Sequence, residues 1–393
     1  MMKRLVLAAL LAAPLFWSCG KHQDNKDPEP VDTTVELKLA DPAATPETKA
    51  LYSNLWAIRE HGWMFGHHDD LMYGRKWYGT EGGSDTKDVC GDYPAVYALD
   101  LSTLMDDRYD DLSEADDNAL RKKLVKEAYD RGMVVMACLH MDNPLDGDDS
   151  WIDQSKPVRV AAEILKDGSE TRRTFNEWLD RLADLAKSFK GSDGKTIPII
   201  IRPFHEHTEK WSWWGTLCAS DSEFVALWRY FVDYMKAAGV HNFIYAISPQ
   251  MDSQKVESDF LFRWPGDDYV DFIGMDCYHG INNNVFVNNL KVLSKISTGK
   301  KKPAGVTETG VEGLKNPDYW FTNIAAPMAG RKMSLLVTWR NKYDPIEQGS
   351  HYFSVYPGHV SEDSFIQMYD RSDTFFCRDL PDMYLPAKNI TVK

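Results

Sequence analysis

Eight short apolar runs, rich in β-branched and aromatic residues, recur along the chain between longer polar stretches. Within each run the apolar residues follow one another instead of alternating with polar ones, which is typical of strands buried on both faces of a parallel sheet. The pattern therefore predicts eight buried parallel strands. They cover residues 63–67, 95–101, 133–140, 197–205, 242–248, 271–278, 303–308 and 335–339.

Several segments between these runs carry apolar residues at the spacing of an amphipathic helix. The predicted helices cover residues 113–131, 174–190, 221–238, 285–297 and 317–329. The first begins at Ser113, a good N-cap residue, and continues with an acidic turn. Strands that alternate with helices predict an α/β fold, the (β/α)8 TIM barrel. A doubly wound open sheet is the alternative, although no glycine-rich phosphate loop follows a predicted strand.

The length of 393 residues suits one large barrel or two ordinary domains, and neither an internal repeat nor a second domain boundary is visible. The formal net charge is −14, from 59 acidic and 45 basic residues, and no Lys/Arg run stands out. A nucleic-acid partner is therefore not expected. The 13 Trp, 18 Tyr and 17 Phe residues suit either a large core or flat platforms for sugar rings.

The N-terminal segment has the features of an export signal. Lys3 and Arg4 precede an apolar run that is too short for a membrane span. The following Ser18–Cys19 pair resembles a bacterial lipobox, which implies acylation of Cys19. Gly20 after this cysteine implies transport to the outer membrane or cell surface, with a lipid anchor as the only membrane contact. An ordinary secretory signal on a periplasmic or secreted protein is the alternative.

This interpretation divides the chain into a signal peptide at residues 1–18, a flexible polar tether at 19–46 and one globular domain at 47–393. Five further cysteines have neither a CxxC nor a zinc-type spacing: Cys90, Cys138, Cys218, Cys277 and Cys377. Cys138 and Cys277 lie in apolar runs and are predicted to be buried thiols. A disulfide between Cys90 and Cys218 is conceivable. The protein is expected to be a monomer.

Polar side chains concentrate where the predicted strands end, at residues 66–70, 140–143, 202–207, 276–279, 307–309 and 338–341. A barrel places all these ends on one face, where active sites of this fold lie. Glu206 follows the fourth run and Glu308 ends the seventh. Two carboxylates that face each other can cleave a glycosidic bond, one as proton donor and one as nucleophile or base. Alternatively, each glutamate is a structural ion-pair partner.

Two motifs carry a family resemblance. Pro-Phe-His-Glu at 203–206 is followed by Trp-Ser-Trp-Trp-Gly at 211–215, and Val-Thr-Glu-Thr-Gly occupies 306–310. Together they resemble glycoside hydrolase family 26, and the resemblance extends from about residue 63 to 341. Related retaining families usually have Asn before the acid/base Glu, whereas family 26 has His, as at His205 here. The family's frequent Met-Asn-Gly after this Glu is replaced by His-Thr-Glu at 207–209.

The resemblance implies a (β/α)8 barrel, a retaining mechanism without a cofactor, and most commonly endo-β-1,4-mannanase activity on mannan, galactomannan or glucomannan. By position, Glu206 is the acid/base and Glu308 the nucleophile. The implied sugar contacts are His140, Trp151, His205, Trp211, Tyr278 and Trp339.

The residue types support these roles independently. Four tryptophans offer flat faces to pyranose rings: Trp211, Trp213, Trp214 and Trp339. For Trp213 a core position is equally plausible. Tyr278 can hold the nucleophile charged by a hydrogen bond. Arg340 either binds a sugar hydroxyl or pairs with an acid. Arg202, inside a strand, is expected to orient Glu308.

Three other functions remain open from the sequence. A metal hydrolase would use His67, His68, Asp69, His205 and His207, but adjacent histidines in an extended strand point to opposite faces, and no His-Glu-x-x-His motif is present. No metal site is therefore expected. A xylanase or mixed-linkage β-glucanase would share the carboxylate pair. A non-catalytic glycan-binding lipoprotein would need the aromatic platforms but not that pair.

Overall fold

A computed structural model of the protein describes residues 34–110 and 114–393. Its core is a sheet of short parallel strands, nearly all of whose residues are buried. The strands of the described residues are β1 Val35–Leu37, β2 Trp63–His68, β3 Val96–Asp100, β4 Val134–Cys138, β5 Ile199–Arg202, β6 Phe243–Ile247, β7 Phe272–Asp276, β8 Ala304–Thr309, β9 Leu335–Thr338, β10 Thr374–Phe375 and β11 Ile390–Val392. Strands β2 to β10 form the core sheet, whereas β1 and β11 form a separate parallel pair.

Strands β2 to β9 pair in sequence order, and β9 pairs back onto β2 with Met64 opposite Leu335. This closure confirms the (β/α)8 barrel, and the open-sheet alternative is wrong. Each predicted run overlaps one barrel strand, because a strand covered by helices outside and packed side chains inside must be apolar on both faces. The carboxyl ends of β2 to β9 meet at one face of the barrel.

The α-helices surround the barrel and close its ends. They are α1 Pro46–Ile58, α2 Asp85–Cys90, α3 Glu114–Asp130, α4 Val160–Leu165, α5 Glu170–Ser188, α6 Asp221–Ala237, α7 Glu257–Phe260, α8 Asn283–Lys300, α9 Ala326–Met328 and α10 Glu362–Tyr369. Four predicted helices match α3, α5, α6 and α8. The fifth is a π-helix, Trp320–Ala325, that runs into α9. The predicted N-cap Ser113 lies outside the described residues. No helix in 34–110 or 114–393 is long and apolar enough to span a bilayer.

The amino end of the described chain belongs to the folded domain. Strand β1 pairs in parallel with β11, with Val35 opposite Ile390. The Ala40 backbone N–H donates to Asp271 Oδ1 at 2.6 Å, and Asp271 directly precedes β7. The predicted flexible tether is therefore wrong for residues 34–46. Strand β1 was not predicted because it has only three residues and its partner lies at the far end of the sequence. The rest of the tether, the leader and Cys19 lie outside the described residues.

The five cysteines from Cys90 onwards are free thiols, so the conceivable disulfide between Cys90 and Cys218 is wrong. Cys90 ends α2, where its thiol donates to the Thr86 carbonyl at 3.2 Å, whereas Cys218 is fully buried in the loop before α6. The two residues lie in different segments of the barrel, one between β2 and β3 and the other between β5 and α6. Cys138 and Cys277 are buried, as predicted.

Candidate active site

The turn after β5 positions Glu206 through an unusual backbone. Phe204 and Glu206 both have a φ of 52°, in the left-handed region that side chains other than glycine rarely adopt. The Phe204 ring is fully buried, with the rings of Trp213 and Trp214 within 5.9 and 6.2 Å. The Glu206 N–H donates to the Ser248 carbonyl at 2.8 Å. These contacts hold the turn in a conformation that its sequence alone would not favour.

The Glu206 carboxyl is partly exposed, and within residues 34–110 and 114–393 it has a single donor, the indole N–H of Trp211, at 2.6 Å from Oε2. Burial of the carboxyl group, followed by the negative charges of Asp276 and Glu308, raises its pKa well above the usual value. A raised pKa favours the protonated carboxyl, which is the form that can donate a proton. The arrangement fits the predicted general acid.

Glu308 lies within β8 and is almost fully buried. The guanidinium of Arg202 donates to its Oε1, and the Tyr278 hydroxyl donates to its Oε2 at 2.9 Å. Both donors hold the carboxylate in one orientation. The β7–β8 register shifts next to Asp276, so that Asp276 is opposite Glu308. Irregularities of this kind redirect side chains beside active sites.

One carboxylate oxygen from each of Glu206, Asp276 and Glu308 lies within 4.8 Å of the other two. Such a short approach of the oxygens agrees with the close carboxyl pair of retaining glycosidases, about 5–5.5 Å apart, rather than with the roughly 6.5–9.5 Å that leaves room for a water in inverting enzymes. The geometry therefore supports a nucleophile and an acid/base on the two glutamates. Arg202 supplies positive charge within the group.

Asp276 is a member of this group that the sequence did not single out. Arg202 Nη1 donates to its Oδ1 at 2.6 Å, and the Thr307 hydroxyl donates to the same oxygen at 2.7 Å. Burial raises the pKa of Asp276 well above its usual value, although the charge of Arg202 lowers it. The Arg202 side chain is fully buried between Asp276 and Glu308, which agrees with its expected orienting role. The sequence did contain a clue to Asp276: it lies at the end of a predicted strand, two residues before Tyr278.

A histidine pair lies beside the acid. Nε2 of His205 is 3.2 Å from Nε2 of His140, and His140 Nδ1 is 2.7 Å from Asp100 Oδ2. Burial of His205, together with the charges of His140 and Arg202, lowers its pKa well below the usual value, so the ring is neutral. Asp100 fixes the orientation of His140. The role of Asp100 was not predicted because it depends on contact across 40 residues of sequence.

Three partly or largely exposed tryptophans line the cleft. Trp151 is 63% exposed and its ring centroid is 4.8 Å from that of Trp211. The Trp211 ring is 5.9 Å from His140, which is 5.8 Å from Trp339. These ring contacts link Trp151, Trp211, His140 and Trp339, while His205 contacts His140 and Tyr278 contacts Glu308, so the predicted sugar contacts lie around the two glutamates. Trp213 and Trp214 are fully buried. The expectation of a sugar platform is therefore wrong for Trp214, and for Trp213 the alternative of a core position is confirmed.

The two core tryptophans help to shape the acid turn instead. The Trp214 indole donates to the His205 carbonyl at 2.7 Å, and the Trp213 indole donates to the Met141 carbonyl at 2.9 Å. Of the two roles predicted for Arg340, the structure shows the pairing with an acid, because its guanidinium is 3.8 Å from Asp69 Oδ2; its side chain remains 40% exposed. It can therefore still donate to a ligand.

The ligand set of the metal-hydrolase hypothesis does not converge. His67 Nδ1 is 2.8 Å from Asp70 Oδ1, His68 Nε2 is 3.4 Å from the Cys138 sulfur, and His207 Nε2 is 3.2 Å from the Phe262 carbonyl. These histidines have separate structural partners. Apart from the three carboxylates, the described residues bring one other candidate ligand group together: Asp100, Cys138 and His140.

Comparison with known proteins gives consistent results. A sequence model of glycosyl hydrolase family 26 matches residues 40–326. A mannan endo-1,4-beta-mannosidase of Bifidobacterium adolescentis is 33% identical over 84% of this chain, which spans only 34% of that relative. A GH26 beta-mannanase structure from Bacteroides ovatus superposes with a TM-score of 0.79 at 35% identity, covering 86% of this chain and 97% of that one. The catalytic domain of a Bacillus GH26 endo-beta-1,4-mannanase gives 0.81 at 28% identity, covering 93% and 100%.

Proposed function

The chain belongs to glycosyl hydrolase family 26, and from this premise we propose that it is an endo-acting β-mannanase that cleaves β-1,4-mannosidic bonds with retention of configuration. The observation that carries the proposal is the carboxylate pair: oxygens of Glu206 and Glu308 lie within 4.8 Å of each other in contrasting environments. The mannan-type substrate is inferred from the names of the relatives. The aromatic cleft suits a polysaccharide of pyranose rings.

In the first step, Glu206 donates its proton to the glycosidic oxygen while Glu308 attacks the anomeric carbon. The Glu308–carbon bond forms as the glycosidic bond breaks, and the leaving chain departs with the proton. Arg202 and Tyr278 hold Glu308 charged and oriented before the attack. Tyr278 itself is a neutral donor, because burial and the charges of Glu308 and Glu206 raise its pKa well above the usual value.

In the second step, Glu206 acts as a base. It removes a proton from a water molecule, which attacks the anomeric carbon and releases Glu308. Two inversions at the same carbon give a product with the original β configuration. Both steps use the same two side chains, and neither needs a cofactor.

The direct test is hydrolysis of soluble mannan, galactomannan and glucomannan, with xylan and mixed-linkage β-glucan as competing substrates. We expect reducing sugar from the mannans, oligosaccharide products on chromatography, and β-anomers as the first products by proton NMR. Glu308→Gln is the matched control for contaminating activity. A preference for xylan or mixed-linkage glucan would favour the alternative glycanases, and no release from any glycan would favour a non-catalytic binding protein.

A second test addresses metal chemistry. Activity should survive prolonged EDTA treatment, because the proposed proton transfer and nucleophilic attack use carboxylates alone. Loss of activity that added zinc restores would contradict the two-carboxylate mechanism.

We further propose that the mature protein is a monomer anchored to the outer membrane by acylation of Cys19. The support is the lipobox-like sequence at 15–19. Cys19→Ala should release the protein from membranes in detergent phase separation, and light scattering of the released protein should give the monomer mass. A variant that still partitions with membranes would contradict the lipid anchor, and a dimer mass would contradict the monomer.

A further inference from the structure

Four side chains with the chemistry of metal ligands meet next to the histidine pair. Asp100 ends β3, Cys138 ends β4, and His140 follows two residues later. One ligand atom from each of these three lies within 4.8 Å of the other two. His68 on β2 approaches the same sulfur, with its Nε2 at 3.4 Å from Cys138 Sγ. These four side chains, the thiol–histidine group, offer the carboxylate, thiolate and imidazole donors that zinc binds in proteins.

The separations within the thiol–histidine group suit a tetrahedral ion. Zinc bonds of about 2.0–2.3 Å place neighbouring ligand atoms roughly 3.3–3.7 Å apart. Cys138 Sγ lies 3.7 Å from His140 Nδ1 and 3.4 Å from His68 Nε2. Asp100 Oδ2 and His140 Nδ1 are hydrogen-bonded at 2.7 Å and would separate by less than about 1 Å to bind the same ion. Small side-chain movements are therefore sufficient for coordination.

Neighbouring residues prepare two of the ligands. His68 Nδ1 is 3.2 Å from Asp69 Oδ2, the arrangement in which a carboxylate aligns a metal-binding imidazole. The backbone N–H of Ser102 donates to Asp100 Oδ1 at 2.8 Å. Burial alone would raise the pKa of Asp100, but hydrogen bonds from His140 and Ser102 hold that pKa well below its usual value. Asp100 is therefore charged, which is the form that binds a cation.

The cation on the adjacent strand is already paired. Arg202 is opposite Cys138 in the β4–β5 register, but its two terminal amino groups donate to Asp276 and Glu308. The sulfur itself is reached from the cleft through His140, since Cys138 is 2% exposed and the His140 side chain is 26% exposed. A small cation can thus enter where a bulky thiol reagent cannot.

A bound ion would reverse the hydrogen bonding of the histidine pair. A carboxylate only accepts hydrogen bonds, so without an ion His140 Nδ1 donates to Asp100, and the Nε2 of a neutral His140 accepts from His205 Nε2. With an ion on Nδ1, the ring proton of His140 moves to Nε2 and donates instead. His205 must then carry its proton on Nδ1. Because His205 directly precedes Glu206, this change alters the donors and acceptors that the cleft offers to a sugar.

We infer that the thiol–histidine group binds a borderline-soft divalent cation such as Zn²⁺, and that the bound ion inhibits hydrolysis. The sulfur–metal bond forms as the thiol proton leaves to the solvent, and no oxidation state changes. Binding of the ion follows from the ligand group alone. Its inhibitory effect rests on the proposed hydrolase function.

The test measures mannan hydrolysis by the full chain with zinc chloride in a buffer free of chelators. Zinc should inhibit and EDTA should restore the activity, whereas magnesium and calcium chloride should have no effect because these cations prefer oxygen ligands. Cys138→Ser should still hydrolyse mannan, but half-inhibition should need at least about 100-fold more zinc, since loss of a mere supporting partner already costs about 10–100-fold. Cys377→Ser is the matched control, because that thiol is more exposed and donates to the Arg131 carbonyl at 3.4 Å.

A second measurement does not depend on activity. Cobalt chloride should give the ultraviolet charge-transfer band of a cobalt–thiolate bond with the full chain and with Cys377→Ser, but not with Cys138→Ser. Circular dichroism melting shows that each variant is folded, and His68→Gln, which should weaken zinc inhibition in the same direction, serves if Cys138→Ser is not. Equal zinc inhibition with and without Cys138, no inhibition of an active enzyme, or no cobalt–thiolate band would overturn the inference. If the band appears but no glycan is hydrolysed, it is the proposed function that fails.

Discussion

Glu206 and Glu308 are the same residue type, a few ångströms apart, in opposite surroundings. Glu206 stands in a strained turn, is partly exposed and has one hydrogen-bond donor. Glu308 stands in a strand, is 3% exposed and has two donors, one of them cationic. The environment of Glu206 raises its pKa and favours the protonated form, whereas the two donors to Glu308 orient its carboxylate. The division of labour is therefore decided by the neighbours of each carboxylate.

Glu206 and Glu308 are also held in position in different ways. The backbone of Glu308 is fixed by strand pairing between β7 and β8, whereas that of Glu206 depends on the packing of Phe204 and on the Trp214 indole. The nucleophile is thus positioned by barrel geometry, and the acid by side chains of a loop. Variants in these two environments should therefore give different kinetic signatures.

The largest expected effect comes from Glu308→Ala, which should reduce hydrolysis of every substrate by on the order of 10⁴-fold or more. The isosteric Glu308→Gln should reduce hydrolysis to a similar extent. It also removes a negative charge that raises the pKa of Glu206, so that pKa should fall. Steady-state kinetics and a carbon-13 NMR titration of Glu206 measure the two effects. Substantial activity in the folded variant would refute the nucleophile role.

Glu206→Ala should cost about 10²- to 10⁴-fold on mannan, the usual contribution of a general acid. An aryl mannoside leaves readily without a proton, so its glycosylation step should be much less affected, and the covalent intermediate on Glu308 should accumulate. Azide, which needs no base, should then restore turnover and give a β-mannosyl azide. Equal losses on both substrates without azide rescue would reopen the choice of acid.

Tyr278→Phe removes one of the two donors to Glu308 while keeping the ring. A hydrogen bond to a charged group contributes about 1.5–3 kcal/mol, so kcat should fall by roughly 10- to 100-fold. The fall should appear with mannan and with aryl mannosides alike, since the donor acts on the nucleophile and not on the leaving group. A loss confined to mannan would instead connect Tyr278 with proton donation.

Trp211→Phe tests the pKa of the acid. The protonated form of Glu206 is the active form, so activity falls as pH rises through its raised pKa. The Trp211 N–H stabilises the charged form and lowers this pKa. Its removal should shift the alkaline limb of the kcat/KM profile to higher pH, with a loss of roughly tenfold at the optimum. Trp151→Phe is the control. Trp151 lies beside Trp211, but its substitution should leave the alkaline limb of the kcat/KM profile unchanged.

Trp151→Ala should have the smallest effect. The side chain is 63% exposed and touches neither carboxylate, but it extends the aromatic wall from Trp211. We expect KM for mannan to rise about two- to tenfold with kcat nearly unchanged. A change in kcat would indicate that Trp151 influences the acid through the Trp211 ring.

The sequence predicted what depends on local pattern. The barrel strands were recognisable because each is apolar on both faces, and the two glutamates because Glu206 follows such a strand and Glu308 lies at the end of another. Asp276 and Asp100 were missed because their roles come from partners on other strands. The burial of Trp213 and Trp214 depends on the packing of Phe204, which neighbouring residues do not reveal. Strand β1 was missed because its partner, β11, lies at the opposite end of the chain.

The pairing of β1 with β11 has a consequence for the order of folding. Val35 and Ile390 are neighbours in space but nearly the whole domain apart in sequence, and closing such a loop in a flexible chain costs about 5 kcal/mol. A completed barrel removes most of this cost. The segments next to β1 and β11 are then already held at the barrel face opposite Glu206 and Glu308. We therefore expect the β1–β11 pair to form last during folding. Its backbone amides should exchange their protons first, while the active site stays folded.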